Sequence, residues 1–174
     1  MAEQRGTDTA PRQTVVLPPG AGREFPLGAA GDVILKLEGS ASGGALTIYE
    51  YTVPPATAGP PLHLHRGWDE AFSVLAGEMT FLIDGTTSAA PAGSFVFVPR
   101  GVLHTFWNEG AVPATQLTVF TPAGIEDYFD AATAVLAAGG DEATAPAVMA
   151  RHDMVVPPSE RPAYGALPPA PDGD

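Results

Sequence analysis

No cysteine occurs among the 174 residues, so disulfides and thiol catalysis are excluded. Lysine is almost as scarce: Lys36 stands alone, and with 20 acidic side chains the formal net charge is −12. Nucleic acid and anionic membrane would both be repelled by that charge, which leaves a small neutral or aromatic molecule as the expected partner. No uninterrupted apolar run approaches the ~18 residues of a membrane span, and the opening residues 1–8 contain no apolar stretch of a secretion signal, so the cytoplasm is the expected location.

Turn formers are abundant. Twenty glycines and 19 prolines suit a turn-rich all-β domain better than a helical one, and 45% hydrophobic composition over this length is enough for one domain with a real core. Residues 14–17, 33–37, 46–53, 70–76, 94–98 and 116–120 read as strands. Residues 78–84 alternate, with Met79, Phe81 and Ile83 on one face and Glu78, Thr80 and Asp84 on the other, before Asp84-Gly85 marks a hairpin. Beyond the last strand, Ile125, Tyr128, Phe129, Ala132, Val135 and Leu136 recur at helical spacing up to Gly139, predicting a helix whose apolar stripe is core. A second short helix is expected within 141–153, broken or started at Pro146.

Chemistry concentrates in the middle of the chain. Of four histidines, His63, His65 and His104 fall within one short stretch, each beside a strand or turn signal. Side chains two apart on a strand project the same way, roughly 7 Å along the chain, so His63 and His65 can converge on one ion. The turn through Gly67 returns Glu70 beside them, and Pro99-Arg100-Gly101 turns the chain so that His104 can face inward as the fourth ligand. Three imidazoles and a carboxylate suit one divalent transition metal (Fe, Mn, Ni, Co, Cu or Zn), and four protein ligands leave one or two positions for water, substrate or dioxygen.

These residues carry a family resemblance. His63-Leu64-His65, Glu70 and Gly77 match the first motif of the cupins, and Gly93, Pro99, Gly101, His104 and Asn108 match the second in full. The glycine expected six residues before the first histidine is replaced by Thr57, with Gly59 nearby. The chain thus resembles a single-domain cupin over residues 30–125, and the phrases 59–63, 69–75 and 97–104 look most like the quercetin-dioxygenase-like subgroup.

The resemblance implies a jelly-roll-like β-barrel over residues 13–123; around it, composition and spacing predict a flexible N-terminus (1–12), one or two helices within 124–153 and a Pro-rich tail (154–174). A homodimer is also expected, because cupins often pair through their sheets or N-terminal strands. In the subgroup the metal binds an enolate and the ligating glutamate takes the substrate proton, so Glu70 would be both ligand and base, with O₂ as co-substrate. Other cupins isomerise, cyclise or decarboxylate without oxygen, and a non-catalytic ligand-binding cupin is a third reading. Metal-free epimerases need a further histidine in the barrel, whereas His152, read as a surface residue, lies outside it.

Several aromatics crowd the motifs: Trp68, Phe72, Phe81, Phe95, Phe97, Phe106 and Trp107 are candidates for a flat apolar pocket or for ordinary packing. Glu50, on the strand face of Leu46 and Ile48, is a candidate partner for the metal histidines or an exposed residue at the barrel end.

Overall fold

The computed structural model describes residues 12–140 and 145–156. Twelve strands occur among them: β1 (Arg23–Pro26), β2 (Asp32–Leu37), β3 (Thr47–Val53), β4 (Thr57–Ala58), β5 (Leu64–His65), β6 (Asp69–Ala76), β7 (Glu78–Ile83), β8 (Thr86–Pro91), β9 (Phe95–Val98), β10 (His104–Asn108), β11 (Ala114–Thr121) and β12 (Met154–Val155). The helices are α1 (Gly39–Ser42), α2 (Glu126–Ala137) and α3 (Ala145–Arg151). No helix among the described residues is long and apolar enough to cross a membrane.

Hydrogen bonding does not run round a closed barrel. A six-stranded antiparallel sheet, β1-β2-β3-β11-β6-β9, faces a four-stranded one, β4-β10-β7-β8, and a small ladder of β12 with β5 lies apart from both. The fold is the all-β jelly roll with few helices that the motifs implied. Its core fills the space between the sheets. Phe72 of β6 packs against Phe81 of β7 and Phe106 of β10, with centroids 5.0 and 5.6 Å apart, so the two sheets are joined by interlocked rings.

Local chemistry explains the corners. Asp84 and Gly85 both adopt positive φ (+47° and +77°), the pairing required by a tight hairpin whose twist matches its strands. Gly77, between β6 and β7, has φ +68°, and a Cβ there would fall 2.7 Å from the Pro113 carbonyl oxygen, so the motif glycine is set by both conformation and space. Asn108 is fully used as a brace: Nδ2 donates to the carbonyls of Val53, Pro54 and Val112, and Oδ1 accepts from Gly110.

Two expectations are corrected. Residues 14–17 form no strand; Val15, Val16 and Leu17 are exposed, since β-branched composition holds a strand only where a neighbouring edge pairs with it. Met154 and Val155, assigned to the tail, instead pair with His65 and Leu64. The rest of that tail, residues 157–174, and residues 1–11 of the N-terminus lie outside the described residues. Of the second-helix segment 141–153, Ala145–Arg151 is helical, and residues 141–144 lie outside the description.

Candidate metal centre

His63 precedes β5 and is held to β10 by reciprocal backbone bonds with His104: His63 N donates to His104 O at 3.0 Å and His104 N to His63 O at 2.8 Å. His65 ends β5, and its carbonyl accepts from Gly101 N at 2.6 Å, so the turn of the second motif is fastened to the histidine of the first. Glu70, the second residue of β6, lies opposite Val98 on one side and Phe120 on the other. These pairings bring the four side chains together: their ligand atoms lie within 4.8 Å of one another, and all four residues are buried.

The protonation pattern decides what such a cluster can hold. His63 Nδ1 lies 2.8 Å from Pro61 O, His104 Nδ1 2.9 Å from Val102 O, and His65 Nδ1 3.3 Å from Asp153 O. A carbonyl only accepts, so each Nδ1 carries the proton and each Nε2 presents a lone pair. Those lone pairs face one another and a carboxylate. His63 Nε2 and His65 Nε2 are 3.3 Å apart, and Glu70 Oε2 is 3.0 Å from His104 Nε2 and 3.4 Å from His65 Nε2. Four acceptors turned together repel unless a proton or a cation lies among them. The donor set, with each ring oriented through its other nitrogen, therefore fits one divalent transition metal.

The electrostatics agree. Burial, then the neighbouring His104 and His65, hold His63 well below the usual imidazole range, so its lone pair stays free for a metal. Burial alone would raise Glu70, but its contacts with the His104 and His65 rings outweigh it and pull the carboxyl down to about 2. Burial would lower His104, but the Glu70 carboxylate beside its Nε2 outweighs it and raises the ring, marking the place between them as one that favours positive charge. Beside the cluster, Asp69 is paired with Arg100 at 2.8 Å and lowered to about 2 by that contact.

Glu70 is divided between its two oxygens. Oε2 faces the imidazoles, while Oε1 lies 3.5 Å from the hydroxyl of Tyr49, a buried phenol pushed up by desolvation and by Glu70 itself. Tyr49, not Glu50, is thus the β3 residue at the site. Glu50 points to the outer face of the sheet, 3.6 Å from Lys36 Nζ. Strand β3 puts Thr47, Tyr49, Tyr51 and Val53 inward, the opposite parity to that expected from Leu46 and Ile48.

A cavity of about 40 Å³ adjoins the cluster. Apart from the ligands, its walls include Tyr49, Phe106, Phe120, Phe129 and Met154. Of the aromatics expected near the site, Phe106 lines this cavity. Phe72 and Phe81 are core, Trp68 packs edgewise on His65, Trp107 donates to Glu109 Oε1, and Phe95 and Phe97 are exposed on the outer sheet face. The stripe of α2 read as core also supplies cavity wall through Ile125, Tyr128 and Phe129, and half-buried His152 sits against Tyr128.

Comparison with known proteins agrees with this geometry. Residues 49–120 match the family described as the cupin domain. The chain is similar to "Oxidoreductase iacF" of Pestalotiopsis fici, 41% identical over 64 residues, which cover 36% of this chain and 30% of that protein. It therefore spans about a third of the length of that curated relative. Among solved structures, an RmlC-like cupin from Shewanella frigidimarina aligns with a TM-score of 0.55 at 19% identity, covering 67% of this chain and 98% of the other. The polyketide cyclase RemF from Streptomyces resistomycificus aligns with a TM-score of 0.54 at 20% identity, covering 63% of this chain and 80% of the other. A predicted oxalate decarboxylase from Thermotoga maritima gives 0.54 at 22% identity, covering 63% and 99%. At these identities the three share the fold alone, and with the matched domain they make this chain a cupin in fold.

Proposed function

We propose that this protein is a metal-dependent enzyme that acts on a compact enolisable substrate, with O₂ as co-substrate and Glu70 as the base. The observation that carries the reading is the inward-facing set of three Nε2 lone pairs and one carboxylate, with Nδ1 protons committed elsewhere. The oxidoreductase relative, similar over about a third of this chain, supports the oxidative choice.

A divalent metal in this set supplies a Lewis acid that lowers the pKa of a hydroxyl or enol beside it. The protein groups do the rest. Oε2 of Glu70 belongs to the ligand set, which leaves Oε1 to take the acidic proton of the substrate, and the Tyr49 hydroxyl, 3.5 Å away, orients that oxygen. Apolar walls from Phe106, Phe120, Phe129 and Met154 exclude water from the anion so formed.

Cavity size narrows the substrate. About 40 Å³ is room for about three waters. Pockets for drug-sized ligands run to roughly 300–1,000 Å³. A β-dicarbonyl or similarly small enol asks the smallest outward movement of these walls, whereas a flavonol requires α2 and β12 to move much further. The homodimer is part of the same proposal, and sedimentation showing only monomer would remove it.

The test is oxygen uptake by protein reconstituted with iron, manganese, nickel or cobalt and offered a β-dicarbonyl series alongside quercetin. Metal-dependent uptake favouring the compact substrates is expected, with Glu70→Gln slower by about 10²–10⁴-fold. Full turnover by Glu70→Gln would sink the base role. Bound metal without uptake would turn the reading to an oxygen-independent isomerase, cyclase or decarboxylase, or to a non-catalytic ligand-binding cupin.

A further inference from the structure

The three imidazoles are oriented in two different ways. His63 and His104 each rest Nδ1 on the carbonyl two residues earlier in the chain, Pro61 and Val102. His65 rests on the carbonyl of Asp153, 88 residues away in sequence. The matched cupin domain ends at residue 120, so this acceptor comes from chain outside the domain that supplies every ligand.

Asp153 is placed with care. Its φ of +57° is in the left-handed region that a non-glycine residue enters at a cost, and that aspartate and asparagine tolerate best. Its side chain holds it there: Oδ2 accepts from Arg66 N at 3.0 Å and Gly67 N at 2.6 Å, the two amides that follow His65. The next residue, Met154, pairs with His65 in the β5–β12 ladder and forms part of the cavity wall. On the inner side, Met149 and Val148 of α3 are buried in the core and anchor the segment. Backbone pairing, side-chain anchor and ring acceptor thus converge on one ligand histidine.

We propose that Asp153 is the positioning residue of His65, so that the segment 152–156 completes the metal centre and couples metal affinity to its own docking. The proposal rests on the metal reading above. Its chemistry is simple: the Asp153 carbonyl keeps the proton on Nδ1 and the lone pair on Nε2, and the carboxylate fixes that carbonyl by gripping the turn after His65.

The test compares full-length wild type with Asp153→Ala and Asp153→Asn. Cobalt affinity is read by competition with a chelator, the His65 tautomer by ¹⁵N NMR of the metal-free protein, and melting temperature for each. Asp153→Ala, which loses the grip and disfavours positive φ, is expected to bind cobalt about 10–100-fold more weakly. Asp153→Asn, which tolerates that φ and keeps an acceptor oxygen, is expected within about threefold of wild type. Metal-free Asp153→Ala should melt a few degrees below wild type, as the lost anchor and the unfavourable φ imply, and Asp153→Asn close to wild type. Wild-type affinity in Asp153→Ala would overturn the proposal while leaving the metal reading intact. A His65 proton on Nε2 in metal-free wild type would overturn it too, and that measurement stands even if Asp153→Ala fails to fold. Wild type that bound no cobalt would overturn the metal reading and this proposal together.

Discussion

The segment from His63 to Asn108 and the segment from Ile125 to Val155 build the same site by opposite means. The first is nearly self-sufficient: it supplies all four ligands, orients two histidines on carbonyls two residues back, and knots its turns through Gly101 N and the His65 carbonyl. The second supplies no ligand. It contributes Ile125, Tyr128, Phe129 and Met154 as wall and the Asp153 carbonyl as orienter, and it depends on docking to do so. The ligand set is thus local to one segment, whereas one side of the cavity wall and the orientation of His65 depend on the docking of the other.

Breaking the first region should break everything. Phe72→Ala would empty the contact where three rings lock the sheets together, and about 3–5 kcal/mol of stability should go with it. Urea unfolding measures this, and a loss below about 1 kcal/mol would mean that the ring cluster is not the keystone of the fold.

Loosening the second region should be milder and dependent on pH. Glu126, at the start of α2, accepts from Gly39 N at 2.8 Å through Oε1 and from the Thr47 hydroxyl at 2.5 Å and Gly124 N at 3.2 Å through Oε2, tying the helix to β3. Burial would raise its carboxyl, but the Thr47 hydroxyl and the backbone amides outweigh it and hold it below the usual carboxylate range. A group lowered on folding stabilises above its unfolded pKa and loses that contribution as pH falls through the folded value. Glu126→Gln should therefore cost at most about 1 kcal/mol at neutral pH, since solvent screens the half-exposed carboxyl, and flatten the acid limb of the stability curve, as thermal melts across pH would show. Parallel limbs for variant and wild type would contradict the assignment.

Legibility in the sequence followed the same divide. His63, His65, Glu70 and His104 could be read because their spacing sets strand and turn geometry locally. Tyr49 was missed because β3 alternates Thr, Tyr and Val with Ile, Glu and Thr, and hydropathy does not say that the phenols turn inward; only pairing with β2 and β11 decides it. Phe95 and Phe97 read as pocket or packing residues by composition, yet β9 is an edge strand and no sheet among the described residues covers their face. Asp153 offered a fainter signal. It lies in His152-Asp153-Met154, and nothing in the local pattern points to a contact 88 residues away. Gln116, fully buried with neither amide atom hydrogen-bonded among the described residues, follows from β11 parity and not from its chemistry.

We expect His63, His65, Glu70 and His104 to hold one divalent metal. Titration of metal-free protein with cobalt(II), followed by absorption and compared with His104→Ala, tests it most directly. One cobalt per wild-type chain, with affinity falling about 100-fold or more in the variant, is the predicted result. Saturable binding of equal strength in both, or none in wild type, would contradict it.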